Sequence, residues 1–252
     1  MADLVTGIME VNTMDVLTEW LPEGSSVLIS GLGEPLLNPR LNQFVRKLRC
    51  RGLAVSIITN GILLTPSRFD ELRDAGVCEI QISAQTLSAD HYQSEMTGSD
   101  FYKLLEHLKY LCEADRGNVR LRFNSILELE DWEKKEILRF CEENEFVPFL
   151  RNKHSRGGTV SYQTVERPGC GIFPSTTFIN YQGGVMRCVN DRFGKTIGNI
   201  FTDSFQTIQE RKRDIIQAEQ YVPACRQCTD SYRWEIIDSM DVHTVKRTGG
   251  DV

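Results

Sequence analysis

No apolar run in the 252 residues is long enough to cross a membrane. The opening stretch, Met1-Ala-Asp-Leu-Val-Thr6, lacks the basic start and apolar core of an export signal, so a cytoplasmic protein is expected. Positive charge is not in excess: 29 Lys and Arg stand against 35 Asp and Glu, a net charge of −6. That balance argues against a nucleic-acid binder relying on bulk charge, and leaves only a local basic patch at Arg211-Lys212-Arg213. Internal repeats and low-complexity tracts are absent. Among eight cysteines only Cys225 and Cys228 lie close together, and no trio has the spacing Cys-x3-Cys-x2-Cys. In a chain of this length without an export signal, cysteines suit metal binding better than disulfides. Cys50, Cys78, Cys112 and Cys141 have no ligand spacing and read as small buried hydrophobes.

The composition is that of a globular protein, with 40% hydrophobic and 25% charged residues, and the length allows one large or two small domains. Apolar periodicity predicts helices over 11–21, 39–51, 65–74, 99–113 and 131–143. Strands are predicted over 26–30, 54–58, 79–83, 119–124 and 146–151. This alternation with short connections implies right-handed βαβ crossovers and a parallel sheet. Ligands of such sheets sit at the carboxyl ends of the strands. Gly31–Glu34, Thr59–Asn60, Ser83, Asn124 and Arg151 all fall there. After Arg151 the texture changes. Residues 177–187 carry a hairpin signal around Tyr181-Gln-Gly-Gly184, and a helix is predicted over 204–217. The expected domains are 1–155 and 156–252.

Cys170, Cys188, Cys225 and Cys228 all belong to the second domain. Four thiolates complete either a tetrahedral zinc site or a [4Fe–4S] cluster. Structural zinc usually takes two close pairs, and only one is present here, which leans toward iron–sulfur. Four unrelated thiols remain the plain alternative.

Two sets of motifs resemble those of the radical S-adenosylmethionine (SAM) superfamily. Gly31-Leu-Gly33-Glu34-Pro35 resembles its "GGEP" loop, in a "GxGEP" form, and Thr59-Asn60-Gly61 fits its next strand-end motif. Cys170-x12-Gly183-x4-Cys188, then Cys188-Val-Asn-Asp191, Ile197-Gly-Asn-Ile200 and Cys225-x2-Cys228, resemble the SPASM/Twitch auxiliary-cluster module. With no cysteine after Cys228, the module matches the shortened Twitch form, as in 2-deoxy-scyllo-inosamine dehydrogenase-type architecture.

The resemblance implies a partial (β/α) TIM-type barrel, its parallel sheet missing the first strand, plus a small C-terminal β-hairpin/helix iron–sulfur module. It implies SAM contacts at Gly31, Gly33, Glu34, Pro35, Thr59, Asn60, Ser83, Arg122 and Asn124, with Ala84-Gln85 departing from the family's frequent Ile-Asp. An ammonium needs several acceptors, and glycines let the backbone come close. Alternation puts Arg120, Arg122 and Asn124 on one face, where the two arginines could instead simply pair with surface carboxylates. Four cysteines, Cys170, Cys188, Cys225 and Cys228, are implied as ligands of one auxiliary [4Fe–4S] cluster.

In the family a Cys-x3-Cys-x2-Cys triplet holds the cluster that cleaves SAM, followed by a "Gly-x-Met" element. Gly7-Ile-Met9 resembles that element, and the triplet is absent. Three expectations follow: a degenerate or shortened protein that binds one cluster and possibly SAM without cleaving it, a full radical oxidoreductase whose cluster segment lies outside this chain, or an electron-transfer or binding partner of a radical SAM enzyme. The expected partners are a small-molecule or peptide substrate, or that partner enzyme, and neither nucleic acid nor membrane. Arg151 is the candidate substrate contact, with His154 and Arg156 beyond it. Residues 2–9 or a partner chain are expected to cover the sheet edge at 26–30.

Overall fold

A computed structural model describes residues 7–31, 33–96, 98–153, 170–191, 195–218 and 223–229. His154, Arg156 and Leu32 lie outside them. The chain divides into two compact units, one of Leu21–Arg151 and one joining Met1–Trp20 to Asn152–Val252.

The first unit is a five-stranded parallel sheet in the order β1 (Ser26–Ile29), β2 (Ala54–Thr59), β3 (Glu79–Gln85), β4 (Arg120–Ile126) and β5 (Val147–Arg151). Sequential order with right-handed crossovers places every connecting helix on one face and gathers the strand ends at one end. This is an open segment of a TIM-type barrel. The crossovers run through α2 (Leu41–Cys50), α3 (Pro66–Ala75), α4 (Ala89–Glu95) with α5 (Phe101–Glu113), and α6 (Asp131–Glu143). (The first helix of the chain, α1, Val11–Trp20, belongs to the other unit.)

Local sequence fixes these helices. Thr65 caps α3 by accepting from the Arg68 N–H, Pro66 occupies its first turn, and Gly76 ends it at φ 93°. In α2, Leu41, Phe44, Val45 and Leu48 share the buried stripe. That stripe joins the core with Val55, Ile57, Ile80, Ile82, Leu121 and Phe123, which alternation places on the helix-covered face of the sheet. The opposite face is polar, carrying Ser56, Gln81, Ser83, Arg122 and Asn124.

Among the described residues β1 is an edge strand, paired only with β2, and Leu28 is 52% exposed. Of the segment expected to cover this edge, residues 7–9 form no strand and residues 2–6 lie outside the described residues. Sequence reading also missed α4, a short helix without a side-chain cap. Of the scattered cysteines only Cys141 is buried, and its thiol is pushed up to about 11 by desolvation; Cys50, the last residue of α2, is exposed.

In the second unit, β6 (Phe178–Ile179), β7 (Gly184–Met186) and β8 (Gly198–Asn199) form a small antiparallel sheet in that order. Two short helices, α7 (Ile172–Ser175) and α9 (Pro223–Arg226), and the longer α8 (Phe205–Gln217) complete it. Gly183, at φ 81°, makes the hairpin turn, where a Cβ would come within 2.9 Å of Ile200 and Phe201. α1 is tied here by Trp20, whose indole N–H donates to the Asp203 carbonyl at 2.7 Å and whose ring meets Phe205 edge-on at 5.1 Å. No helix among the described residues is long and apolar enough to cross a membrane.

Candidate functional site

The turn after β1 and the turn after β2 are joined through one carboxylate. Glu34 Oε1 accepts from the Thr59 hydroxyl at 2.7 Å and from the Leu36 N–H at 3.1 Å, and Oε2 accepts from the Asn60 N–H at 2.8 Å. Thr59 is buried, and its hydroxyl also accepts from the Gly61 N–H at 3.0 Å. Asn60 closes its own turn by accepting from the Ile62 N–H at 2.9 Å. Gly61 is required by the fold, since φ is 81° and a Cβ would lie 2.6 Å from Leu104 Cδ1. Its carbonyl accepts from His107 Nδ1 at 2.8 Å, which fixes the protonated nitrogen of that buried ring.

The glycines on the other turn differ. Among the described residues, a Cβ on Gly33 would meet nothing within 4 Å, one on Gly31 would meet the Gly33 nitrogen at 3.9 Å, and neither has positive φ. Among the described residues, neither packing nor a positive φ requires glycine at these two positions. Pro35 starts the 3₁₀ turn that Glu34 caps.

On the polar face, Glu79 is nearly buried and collects Arg120 at 2.6 Å, Arg122 at 3.2 Å and Gln81 at 2.7 Å. Burial pushes its carboxyl up, but hydrogen bonds from Arg122 and Gln81 and both guanidinium charges outweigh that and hold it below the usual range. Arg122 also lies over the Phe149 ring, 5.7 Å from its centroid. The two arginines do pair with a carboxylate, but with the buried Glu79 rather than with a surface one. Arg122 Nε and Asn124 Oδ1 are nonetheless buried without a hydrogen-bond partner among the described residues. This donor and this acceptor lie on the face where Ser83 also lies. Asn124 reaches Gln81 only loosely, at 3.4 Å. Arg151 ends β5, its carbonyl accepting from the Leu127 N–H at 2.9 Å.

The expected metal ligands Cys170, Cys188, Cys225 and Cys228 are half-buried. Cys188 Sγ accepts from the Asn190 N–H at 3.4 Å, and the Cys228 N–H donates to the Cys225 carbonyl within the close pair. The donor chemistry suits an iron–sulfur cluster. Among the described residues, however, no three His, Cys, Asp or Glu side chains are gathered closely enough to hold one metal ion. Nearby in chain, burial pushes the Asp191 carboxyl up against the opposing pull of Arg187.

Sequence reading did not find two polar centres. One is Glu79, whose strand-start position gave no motif. The other is the contact of His91 with Glu133, 42 residues apart.

The Radical SAM superfamily profile matches residues 11–141, and the iron–sulfur cluster-binding domain profile called SPASM matches residues 170–229. A tungsten-containing aldehyde ferredoxin oxidoreductase cofactor-modifying protein of Pyrococcus furiosus is 32% identical over 96 residues, 35% of this chain and 27% of that protein. A GTP 3',8-cyclase of Helicobacter pylori is 26% identical over 154 residues, 58% of this chain and 46% of that protein. The chain thus spans less than half the length of these curated relatives. Among solved structures, BtrN in complex with AdoMet and 2-DOIA aligns with TM-score 0.60 at 19% identity, over 90% of this chain and 82% of that one. Streptococcus suis SuiB bound to precursor peptide SuiA aligns with TM-score 0.57 at 17% identity, over 73% and 53%. Those two likenesses speak to the fold. With one profile spanning the helices and strands that carry the glycine turn and the other spanning the four cysteines, the chain belongs to the radical SAM superfamily and carries a SPASM domain.

Proposed function

We propose that these 252 residues hold SAM at Gly31, Gly33, Glu34, Pro35, Thr59 and Asn60, with Ser83, Arg122 and Asn124 on the adjoining face. The reading rests on one observation: Gly31 and Gly33 are glycines that the fold itself does not need, set beside a carboxylate that locks two strand-end turns together. The ammonium of SAM would take backbone acceptors there, while Asn124 Oδ1 and Arg122 Nε offer an acceptor and a donor. Isothermal titration of SAM into the protein and into Gly33→Ala tests this. Binding that the substitution abolishes supports the site, and equal binding refutes it.

The second domain, expected over 156–252, holds one auxiliary [4Fe–4S] cluster on Cys170, Cys188, Cys225 and Cys228 in this reading. Such a cluster, when bound, accepts and passes single electrons. Cleavage of SAM by one electron needs a cluster in contact with the sulfonium, and no Cys-x3-Cys-x2-Cys lies in this sequence. The chain by itself is therefore a SAM-binding, cluster-carrying protein of a redox or peptide or small-molecule modification pathway in the cytoplasm, and Arg151 contacts the substrate. Neighbours crystallised with a precursor peptide and with 2-DOIA support both substrate classes.

A second reading takes support from the short span over the curated relatives. Here the residues are part of a full radical oxidoreductase, or work beside one as its electron-transfer partner. The coding sequence upstream of Met1 decides: an in-frame Cys-x3-Cys-x2-Cys favours the oxidoreductase, and a separate radical SAM gene nearby favours the partner.

A further inference from the structure

The chain turns tightly at Cys188. The Asp191 N–H donates to the Cys188 carbonyl at 3.1 Å and closes the turn, and within it the Asn190 N–H donates to Cys188 Sγ at 3.4 Å. Asn190 carries a second donor. The residue is 8% exposed, and its side-chain Nδ2 is buried without a hydrogen-bond partner among the described residues. Even the adjoining Asp191 carboxyl, itself buried, does not take that donor. Folded proteins rarely leave a buried N–H unmet, because the lost hydration is not recovered. An acceptor that belongs to no side chain of this unit accounts for it, and the sulfur that already takes the Asn190 backbone N–H is two residues away.

A second group in the same unit asks for negative charge. Lys212 is 3% exposed. Its ammonium donates to the Pro174 and Thr176 carbonyls at 3.3 and 3.1 Å and to the Thr177 hydroxyl at 3.3 Å, and no described carboxylate pairs with it. Pro174 lies in α7 and Thr176 caps its end, and α7 begins two residues after Cys170. The hydrogen bonds of this ammonium are met and its charge is not. A cluster held by four thiolates is net anionic, so it suits both the uncompensated ammonium and the unmet amide.

We propose that Asn190 is a hydrogen-bond donor to the auxiliary cluster, its Nδ2 serving a cluster sulfur while its backbone N–H serves Cys188, and that it raises the reduction potential of that cluster. The assignment rests on the [4Fe–4S] reading of the four cysteines and adds a residue that reading does not contain. Reduction brings in one electron from an external reductant and moves no proton. The sulfurs become more negative, an N–H bond to them strengthens, and the reduced state gains more than the oxidised one.

Anaerobic reconstitution of the full chain with iron and sulfide, then redox titration with dithionite followed by EPR, tests it on wild type and Asn190→Leu at matched iron content. This sequence has no Cys-x3-Cys-x2-Cys, so the signal reports the auxiliary cluster. The expected result is a [4Fe–4S] signal in both proteins, with the variant shifted about tenfold toward the oxidised form, which for a one-electron couple is a midpoint about 59 mV lower. Wild type carrying side-chain ¹⁵N-asparagine gives a readout that needs no variant: pulsed EPR of the reduced cluster is expected to show coupling to an amide ¹⁵N. Equal midpoints overturn the assignment and leave the cluster reading intact. If Asn190→Leu assembles no cluster, absence of the ¹⁵N coupling in wild type overturns it in the same way. A wild-type protein that takes up no [4Fe–4S] cluster, or only zinc, overturns both.

Discussion

The Thr59 hydroxyl donates to Glu34 Oε1 at 2.7 Å, so the side chain that ends β2 is fastened to the turn that follows β1. With the Asn60 N–H on the other oxygen, Glu34 satisfies both turns at once. Replacing it with alanine strands a buried hydroxyl and two N–H groups. Glu34→Ala is expected to lose about 2 kcal/mol in urea unfolding and to lose SAM binding as well. Unchanged stability contradicts the clasp.

Gly33 and Gly61 separate ligand from fold. Gly33→Ala has open space and is expected to leave stability within about 0.5 kcal/mol of wild type while weakening SAM. Gly61→Ala meets Leu104 at positive φ and is expected to cost more than about 1 kcal/mol. Thermal denaturation of both variants checks the contrast, and it fails if the two cost the same.

Glu79 ties stability to acid. Its folded pKa lies below its unfolded value, so its stabilisation is present above about pH 4.3 and is lost as pH falls through the folded value. Glu79→Gln leaves Arg122 and Arg120 without their carboxylate, and is expected to cost about 3 kcal/mol at pH 7 and progressively less in acid. Urea unfolding of both proteins from pH 7 to pH 3 checks this; a pH-independent difference counts against it.

Lys212 gives the opposite window. It is buried, its ammonium donating to the Pro174 and Thr176 carbonyls at 3.3 and 3.1 Å, and desolvation lowers its pKa to about 8. Between about pH 8 and the unfolded value near 10.4 the unfolded chain binds more protons, so this residue makes stability rise with pH there. Cys141, raised to about 11, works the other way in the same range. The stability of wild type minus that of Lys212→Met isolates the lysine, and is expected to increase from pH 8 to pH 10.

Much of this was legible from the sequence, for physical reasons. Period-3.6 and continuous apolar runs exposed the alternating helices and strands, and strand ends then located Gly31–Glu34, Thr59–Asn60, Ser83, Asn124 and Arg151 without tertiary information. Two-residue alternation put Arg122 and Asn124 on one face, as observed. What escaped depends on distant partners. Nothing local in Glu79 announces two arginines from the neighbouring strand, and His91 gains its carboxylate from another crossover. The attachment of α1 to the unit of the C-terminal sheet was equally invisible, because it runs through Trp20 to Asp203 across 183 residues.

The central claim is that this chain binds SAM without cleaving it. The direct measurement is anaerobic reconstitution with iron and sulfide, reduction with dithionite, addition of SAM, and chromatography for 5′-deoxyadenosine. The account predicts bound SAM recovered intact, with no 5′-deoxyadenosine above the protein-free control. Accumulation of 5′-deoxyadenosine that requires this protein contradicts it.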